Sequence, residues 1–271
     1  MEKYTVLMSV CQKENPAFLR ESLNSMAVQT SAPAEIVMVC DGPLTPELES
    51  MLNLFSNLYP GLLQTLRLSQ NKGLGEALRL GISQCKTELI ARMDTDDISV
   101  PARCELQLAA FLQNPDAVII GGQIHEFVNM SEESGTKRVL PCLDEDIRVF
   151  SKKRNPFNHM SVMFRRAAVL SAGNYQHMPF FEDYWLWMRL LRIGKGVNLP
   201  NVLVHARAGD DMIARRGGFP YVRYSLNFQH VLYQNGYIAG SEYLRNILAR
   251  TVTGIVPNRI RRTIYRGLLR R

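Results

Sequence analysis

The chain has 271 residues, of which 46% are hydrophobic and 21% charged. That is enough apolar material to build a real core, in one large domain or two small ones, and it excludes disorder as the main state. With 18 glycines and 5 cysteines, collagen-like and disulfide-scaffold classes are excluded too.

The first half alternates strand and helix patterns. Tyr4–Val10 is a near-continuous apolar run, as a strand buried on both faces requires. Asn15-Pro16 supplies a cap and a proline at the first helical position, and Leu19, Leu23, Met26 and Ala27 follow at helical spacing. Ile36–Cys40 is a second buried strand. Thr45-Pro46 opens a second helix with Leu48, Met51, Leu52 and Phe55. Thr65–Leu68 reads as a short third strand, Gly73–Cys85 as a helix, and Glu88–Met93 as a fourth strand. A helix from Pro101 to about Gln113 and a strand at Ala117–Ile120 complete the alternation. Such alternation implies an α/β fold with a doubly wound, mainly parallel sheet. The middle is less regular. It holds a weak helix near Asp144–Phe150, a strand at Met160–Phe164, an aromatic helix at Trp185–Ile193 and a strand at Val197–His205. Residues 206–219 read as a polar loop. From Pro220 the pattern is helical to the end, with a break near Gly254–Pro257.

In open α/β sheets ligands bind beyond the carboxyl ends of the strands. Those positions hold Cys11-Gln12-Lys13-Glu14, Asp41-Gly42-Pro43, Asn71-Lys72-Gly73 and Asp94-Thr95-Asp96-Asp97. The last is the strongest local signal. Three carboxylates in four residues repel one another, and a Mg²⁺ or Mn²⁺ ion relieves that by taking one or two of them and filling its octahedron with water and phosphate oxygens. The plain alternative is a solvated cap on the helix beyond Pro101. Asp41 suits a base imide or a ribose hydroxyl, or else a simple Asx turn. Asn71-Lys72-Gly73 opens a helix and suits a phosphate or base, or a plain turn.

Taken in order, these stretches resemble glycosyltransferase family 2, with its GT-A nucleotide-sugar fold, from about Thr5 to Gly218. The resemblance is carried by Val6-x-x-Ser9-Val10 with Glu14-Asn15-Pro16, by Ser25-x-x-x-Gln29-Thr30, and by Glu35-Ile36-Val37 with Asp41-Gly42. It continues in Asn71-x-Gly73-x-x-x-Ala77-x-x-x-Gly81, in Ile90-Ala91-Arg92-x-Asp94-x-Asp96-Asp97-x-x-x-Pro101-x-Arg103 with Gln107, and in Glu182-Asp183. The turn Cys40-Asp41-Gly42-Pro43 departs from the paired aspartates often found there. The resemblance implies Asp41 on the uracil or ribose, with Asn71, Lys72, Gly73 and Arg92 in the same nucleotide-sugar site. It puts Asp94 and Asp96 on the ribose and metal-diphosphate, Asp97 as ligand or support, and Asp183 as general base of an inverting transfer. One carboxylate must then sit within hydrogen-bond reach of the attacking hydroxyl.

Further candidates come from the residues themselves. Arg215 and Arg216, beside two glycines, suit a lid closing on a diphosphate, or a solvated loop. His205 is a candidate fourth metal ligand or a structural histidine. Glu182, His159 and Trp185 are candidate acceptor contacts, although tryptophans of such a helix are commonly core.

The cysteines at 11, 40, 85, 104 and 142 are odd in number and scattered, with no Cys-x-x-Cys pair, as in a cytoplasmic protein with reduced thiols. No apolar run approaches the roughly 20 residues that span a bilayer, and Met1-Glu2-Lys3-Tyr4 opens no signal-peptide pattern. The net charge of +7 is uneven. Eight arginines and no acid follow from Arg245 onward, whereas the rest carries 24 basic against 25 acidic residues. Ile260, Ile264 and Leu268 recur every fourth residue among Arg259, Arg262, Arg266 and Arg270, as in a basic amphipathic helix lying on an anionic membrane. The organisation expected is a catalytic domain over 1–219, with a nucleotide-binding half to about 128 and an acceptor half from 129, and a helical, basic membrane-associating region over 220–271. The expected partners are a UDP-sugar donor, a polyprenyl-diphosphate-linked saccharide acceptor and the inner face of the cell membrane, with no nucleic acid. The rivals are a nucleotidyltransferase, which would want a glycine-rich basic loop after strand one, and a non-catalytic domain with a basic arm.

Overall fold

The computed structural model describes residues 2–127, 136–207 and 218–255. Nine strands form one curled sheet in the order β3-β2-β1-β4-β8-β6-β9-β5, with β7 added to β6. The strands are β1 (Tyr4–Val10), β2 (Glu35–Cys40), β3 (Leu63–Arg67), β4 (Leu89–Arg92), β5 (Ile98–Ser99), β6 (Ala117–Phe127), β7 (Thr136–Arg138), β8 (Met163–Arg165) and β9 (Lys195–Arg207). The helices are α1 (Pro16–Ala27), α2 (Pro46–Leu58), α3 (Leu74–Gln84), α4 (Arg103–Gln113), α5 (Asp144–Ser151), α6 (Arg166–Ser171), α7 (Glu182–Leu190), α8 (Phe219–Gln234) and α9 (Gly240–Ile255).

The first four strands in sequence, β1 to β4, pair in parallel. β8 then enters antiparallel between β4 and β6. Strands β1, β2 and β4 have no exposed position, as their unbroken apolar runs require. The expected caps are present: Asn15 accepts from the Ala17 amide at 2.8 Å, and Thr45 accepts from Leu48 at 3.4 Å, each just before its proline. One sheet face packs on α1, α2 and α4 through Leu19, Leu23, Leu48, Phe55 and Phe111. The other packs on α3, α6 and α7 through Ile82, Val169 and Trp187. A third apolar cluster joins α7 to α8 and α9 through Phe181, Tyr184, Phe228 and Leu232.

Three sequence expectations need correction. The strand expected to end at Ile120 runs on to Phe127, because β9 pairs alongside it almost to its end. The helix expected from Pro101 begins at Arg103. The helical C-terminal part breaks at 235–239, not first near Gly254: Asn235 caps α8, and Gly236 at φ +68 turns the chain back. α9 then continues through Gly254 to Ile255, and what lies beyond it falls outside the described residues.

Candidate active site

Asp41 follows β2 directly and is buried. Its Oδ1 accepts from the Lys72 amide at 2.7 Å, its Oδ2 from the Gly73 amide at 3.0 Å, and its carbonyl accepts from Asn71 Nδ2 at 3.2 Å. Asp41 therefore fastens the β2 and β3 loops together, and each carboxylate oxygen keeps a second lone pair for a ligand. Gly42 is required for this closure. It sits at φ +89, and a Cβ there would stand 2.8 Å from the Asn71 nitrogen.

The acidic turn after β4 is held by side chains from several elements. Ser22 Oγ of α1 donates to the Asp94 carbonyl at 2.6 Å. Arg92, only 1% exposed, donates to Asp94 Oδ1. It is a buried support for the turn, with its Nε and Nη1 lacking a protein partner. β5 pairs Ile98 with His205 of β9. Two residues further on, the Arg207 amide donates to Asp97 Oδ1 at 2.8 Å, and Arg207 Nε donates to the Asp96 carbonyl at 3.0 Å.

The electrostatics follow from this crowding. Burial works against the Asp94 charge, but Arg92, with His159 and Arg103 behind it, outweighs burial and holds its carboxyl below the usual range. Asp96 is pushed up by burial and by the charge of Asp94. Asp97 is pushed well up by burial and by both neighbours. Glu14, on the turn after β1, is pushed up by burial, Asp96 and Asp94. Glu14 thus belongs to the cluster, although it lies on the turn of a different strand, far away in sequence, where only the motif Glu14-Asn15-Pro16 is a sign of it. His205 stands edge-on to His125 at 5.6 Å, and burial and His125 push its pKa down, leaving it neutral. Among the described residues, no group of three or more His, Cys, Asp or Glu side chains is placed to hold a metal ion.

A second carboxylate site lies at the start of α7. Asp183 Oδ2 accepts from Asn155 Nδ2 at 2.7 Å and its Oδ1 from the Tyr184 amide at 2.7 Å. Glu182 is pushed up by burial. Its Cγ comes so near Gly75 that a Cβ there would stand at 2.8 Å, which locks the start of α3 to the start of α7. His159 joins the two acid sites. It pairs with the Tyr175 hydroxyl at 2.9 Å and feels both Asp94 and Asp183, while burial and Arg92 push its pKa down to about 4. Trp185 is 7% exposed and donates its Nε1 to Gln176 at 2.9 Å, so it is core and not a platform for a sugar. Arg215 and Arg216 lie outside the described residues.

Acids at the carboxyl ends of parallel strands, beside loops fastened to one another, occupy the place where open α/β sheets hold their ligands, and the sheet has the GT-A architecture. The profile described as "Glycosyl transferase family 2" matches residues 5–172, and the chain belongs to that family. It is 40% identical over 268 residues to the amylovoran biosynthesis glycosyltransferase AmsE of Erwinia amylovora, covering 97% of each chain. It is 33% identical over 270 residues to the UDP-Gal:alpha-D-GlcNAc-diphosphoundecaprenol beta-1,3-galactosyltransferase of Escherichia coli, covering 99% of this chain and 97% of that one. Among solved structures, S. aureus TarS 1-349 superposes with a TM-score of 0.66 at 15% identity, over 98% of this chain and 75% of that one. Mannosyltransferase PcManGT from Pyrobaculum calidifontis, in complex with GDP-Man and Mn2+, gives 0.64 at 16% identity, over 95% and 71%. These last two likenesses show the fold alone. The protein is a glycosyltransferase with close relatives in bacterial polysaccharide biosynthesis.

Proposed function

We propose that this enzyme moves a hexose, galactose first and glucose second, from a UDP-sugar onto a polyprenyl-diphosphate-linked saccharide, with inversion at the anomeric carbon. It would work in surface-polysaccharide assembly on the inner face of the cell membrane. The donor and acceptor classes follow the name of the Escherichia coli relative. The single observation that carries the reading is the acid turn at the carboxyl end of β4, held by Ser22, Arg92 and Arg207 for the donor, with Asp183 fixed by Asn155 for the acceptor hydroxyl. The nucleotide-binding half to about residue 128 holds the first, and the acceptor half the second.

The donor chemistry of the strand-end acids suits a divalent cation held by two carboxylates together with the donor's diphosphate. Asp96, Asp97 and Glu14 are raised together by crowding and burial, a repulsion that one hard cation relieves, and carboxylate oxygens are the donors that Mg²⁺ and Mn²⁺ prefer. Asp96 and Asp94 would hold the ion, with Asp97 beside them and His205 as a further ligand. The bound ion supplies Lewis-acid neutralisation of the leaving diphosphate. Asp41 and the loop it fastens, Asn71-Lys72-Gly73, orient the nucleoside. Asp183 takes the proton of the acceptor hydroxyl as that oxygen attacks C1 from the face opposite the leaving UDP. His159 stays neutral at pH 7, so it adds no cation between the two acid sites.

The test is transfer of label from UDP-[¹⁴C]galactose to a GlcNAc-diphospholipid acceptor. Label should enter the lipid phase with Mn²⁺ and stop with EDTA, with Asp96→Ala and with Asp183→Asn. Full transfer in EDTA, or by Asp96→Ala, refutes the mechanism. A product of retained anomeric configuration refutes the inversion.

A further inference from the structure

Four aromatic residues flank Glu182-Asp183, and three of them are interior: Phe181, Tyr184 and Trp185 are at most 7% exposed. Phe180 is the exception, at 51%. It is also one of two non-glycine residues at positive φ among the described residues, at +69. The other is Asn174, a residue type that tolerates this region. A bulky side chain at such a φ is strained, and strain of this kind persists where the surroundings impose it and clusters at ligand sites. Here the strained backbone keeps the ring at the surface while its neighbour Phe181 stacks on Phe228 beneath, at 4.8 Å and 5°.

The Phe180 ring is not isolated. Tyr221 meets it edge-on at 5.5 Å, and Tyr224 lies tilted at 5.6 Å. The two tyrosines sit three apart on α8, hence on one face of that helix. The result is a half-open aromatic shelf, two of whose three rings carry hydroxyls, three residues before Asp183. Aromatic surface with a few polar tips suits a sugar ring, which offers an apolar C–H face and a polar edge.

We propose that Phe180, Tyr221 and Tyr224 form the subsite that receives the sugar ring of the acceptor and brings its hydroxyl to Asp183. This rests on the glycosyltransferase reading above and adds the acceptor's contact surface to it.

The test separates acceptor binding from donor chemistry. Release of UDP from UDP-galactose is measured with and without a GlcNAc-diphospholipid acceptor, together with the melting temperature. Phe180→Gly removes the ring and relaxes the φ. It should leave acceptor-free UDP release and melting temperature undiminished and raise the acceptor KM about tenfold. Tyr224→Ser, which changes no strained backbone, should raise the acceptor KM by a smaller factor and leave the donor KM unchanged. An unchanged acceptor KM in both variants overturns the shelf. So does a loss in Phe180→Gly that falls equally on acceptor-free UDP release and on melting temperature, since the ring would then be structural packing for α8. Failure of the wild-type protein to release UDP from any sugar nucleotide overturns the parent reading, and the shelf with it.

Discussion

Asn155 and Asp183 are 28 residues apart in sequence and 2.7 Å apart in space. The base proposed at Asp183 would need a fixed direction, and the Asn155 amide fixes one oxygen while the Tyr184 N–H fixes the other. Asn155→Ala should lower kcat while leaving the donor KM in place. Asn155→Asp keeps the shape but removes the donor, and should lower kcat likewise with the donor KM in place. An unchanged kcat in both variants would mean that Asn155 does not position the base. The sequence singles out the Glu182-Asp183 pair but not the Asn155 contact, because nothing in the spacing of Asn155-Pro156 points to α7. Glu14 was legible only as part of a motif for the same reason: its membership of the acid cluster depends on how closely the β1 and β4 turns approach. Which aromatic of the Phe180–Trp185 run faces water was equally hidden, since one backbone dihedral decides it.

At the scale of elements, the motif residues that touch no ligand have a shared role. Arg103, fully buried at the start of α4, donates from Nη2 to the Arg92 carbonyl at 2.7 Å and to the Val162 carbonyl at 3.2 Å, and from Nε to Gln107 at 3.1 Å. Gln107 passes the link on to the Ile120 and Ser161 carbonyls. Gln29, just past the end of α1, does the same for β5 and α4, donating to Ser99 and Val100 and accepting from the Cys104 amide. These side chains join β4, β6, β8 and α4 where the strand-end acids emerge. Arg103→Met keeps the bulk but leaves buried carbonyls without donors. It should cost about 3 kcal/mol and lower the melting temperature by several degrees. An unchanged melting curve would mean that the carbonyls find other donors. The alternation of β1 to β4 with α1 to α4 was legible because each element has its own period and cap. The two-residue β5 was not, because its place is set by pairing with β9, and two residues have no readable period.

Across the whole molecule, α9 presents two faces of opposite character. Asn246 is buried on the inner one, donating to the Lys152 carbonyl at 2.7 Å and to Gln229 at 2.8 Å. Arg250 donates to Ser225 and to the Lys153 carbonyl, both at 3.0 Å, which ties it to the domain and removes it from the basic arm read in the sequence. Leu244 and Leu248, at 68% and 67% exposed, recur with Val252 along the other face, and Arg245 is exposed beside them. Among the described residues no helix is long and apolar enough to cross a membrane. The leucine spacing lies too close to the surface to be read as core or as contact from sequence alone. In the folded chain, an exposed apolar stripe leads straight into the arginine-rich residues 256–271, which lie outside the described residues. The proposed lipid surface would take both: anionic head groups attract each arginine by about 1 kcal/mol, and each leucine buried adds roughly 1.5–3 kcal/mol. Pelleting with phosphatidylglycerol vesicles should therefore exceed pelleting with neutral ones at 0.15 M salt. Deleting residues 256–271 should abolish the difference. Leu244→Ser with Leu248→Ser should weaken pelleting tenfold or more while UDP release and melting temperature hold, because neither side chain supports the domain. Equal pelleting by all three proteins would assign the stripe to something other than lipid.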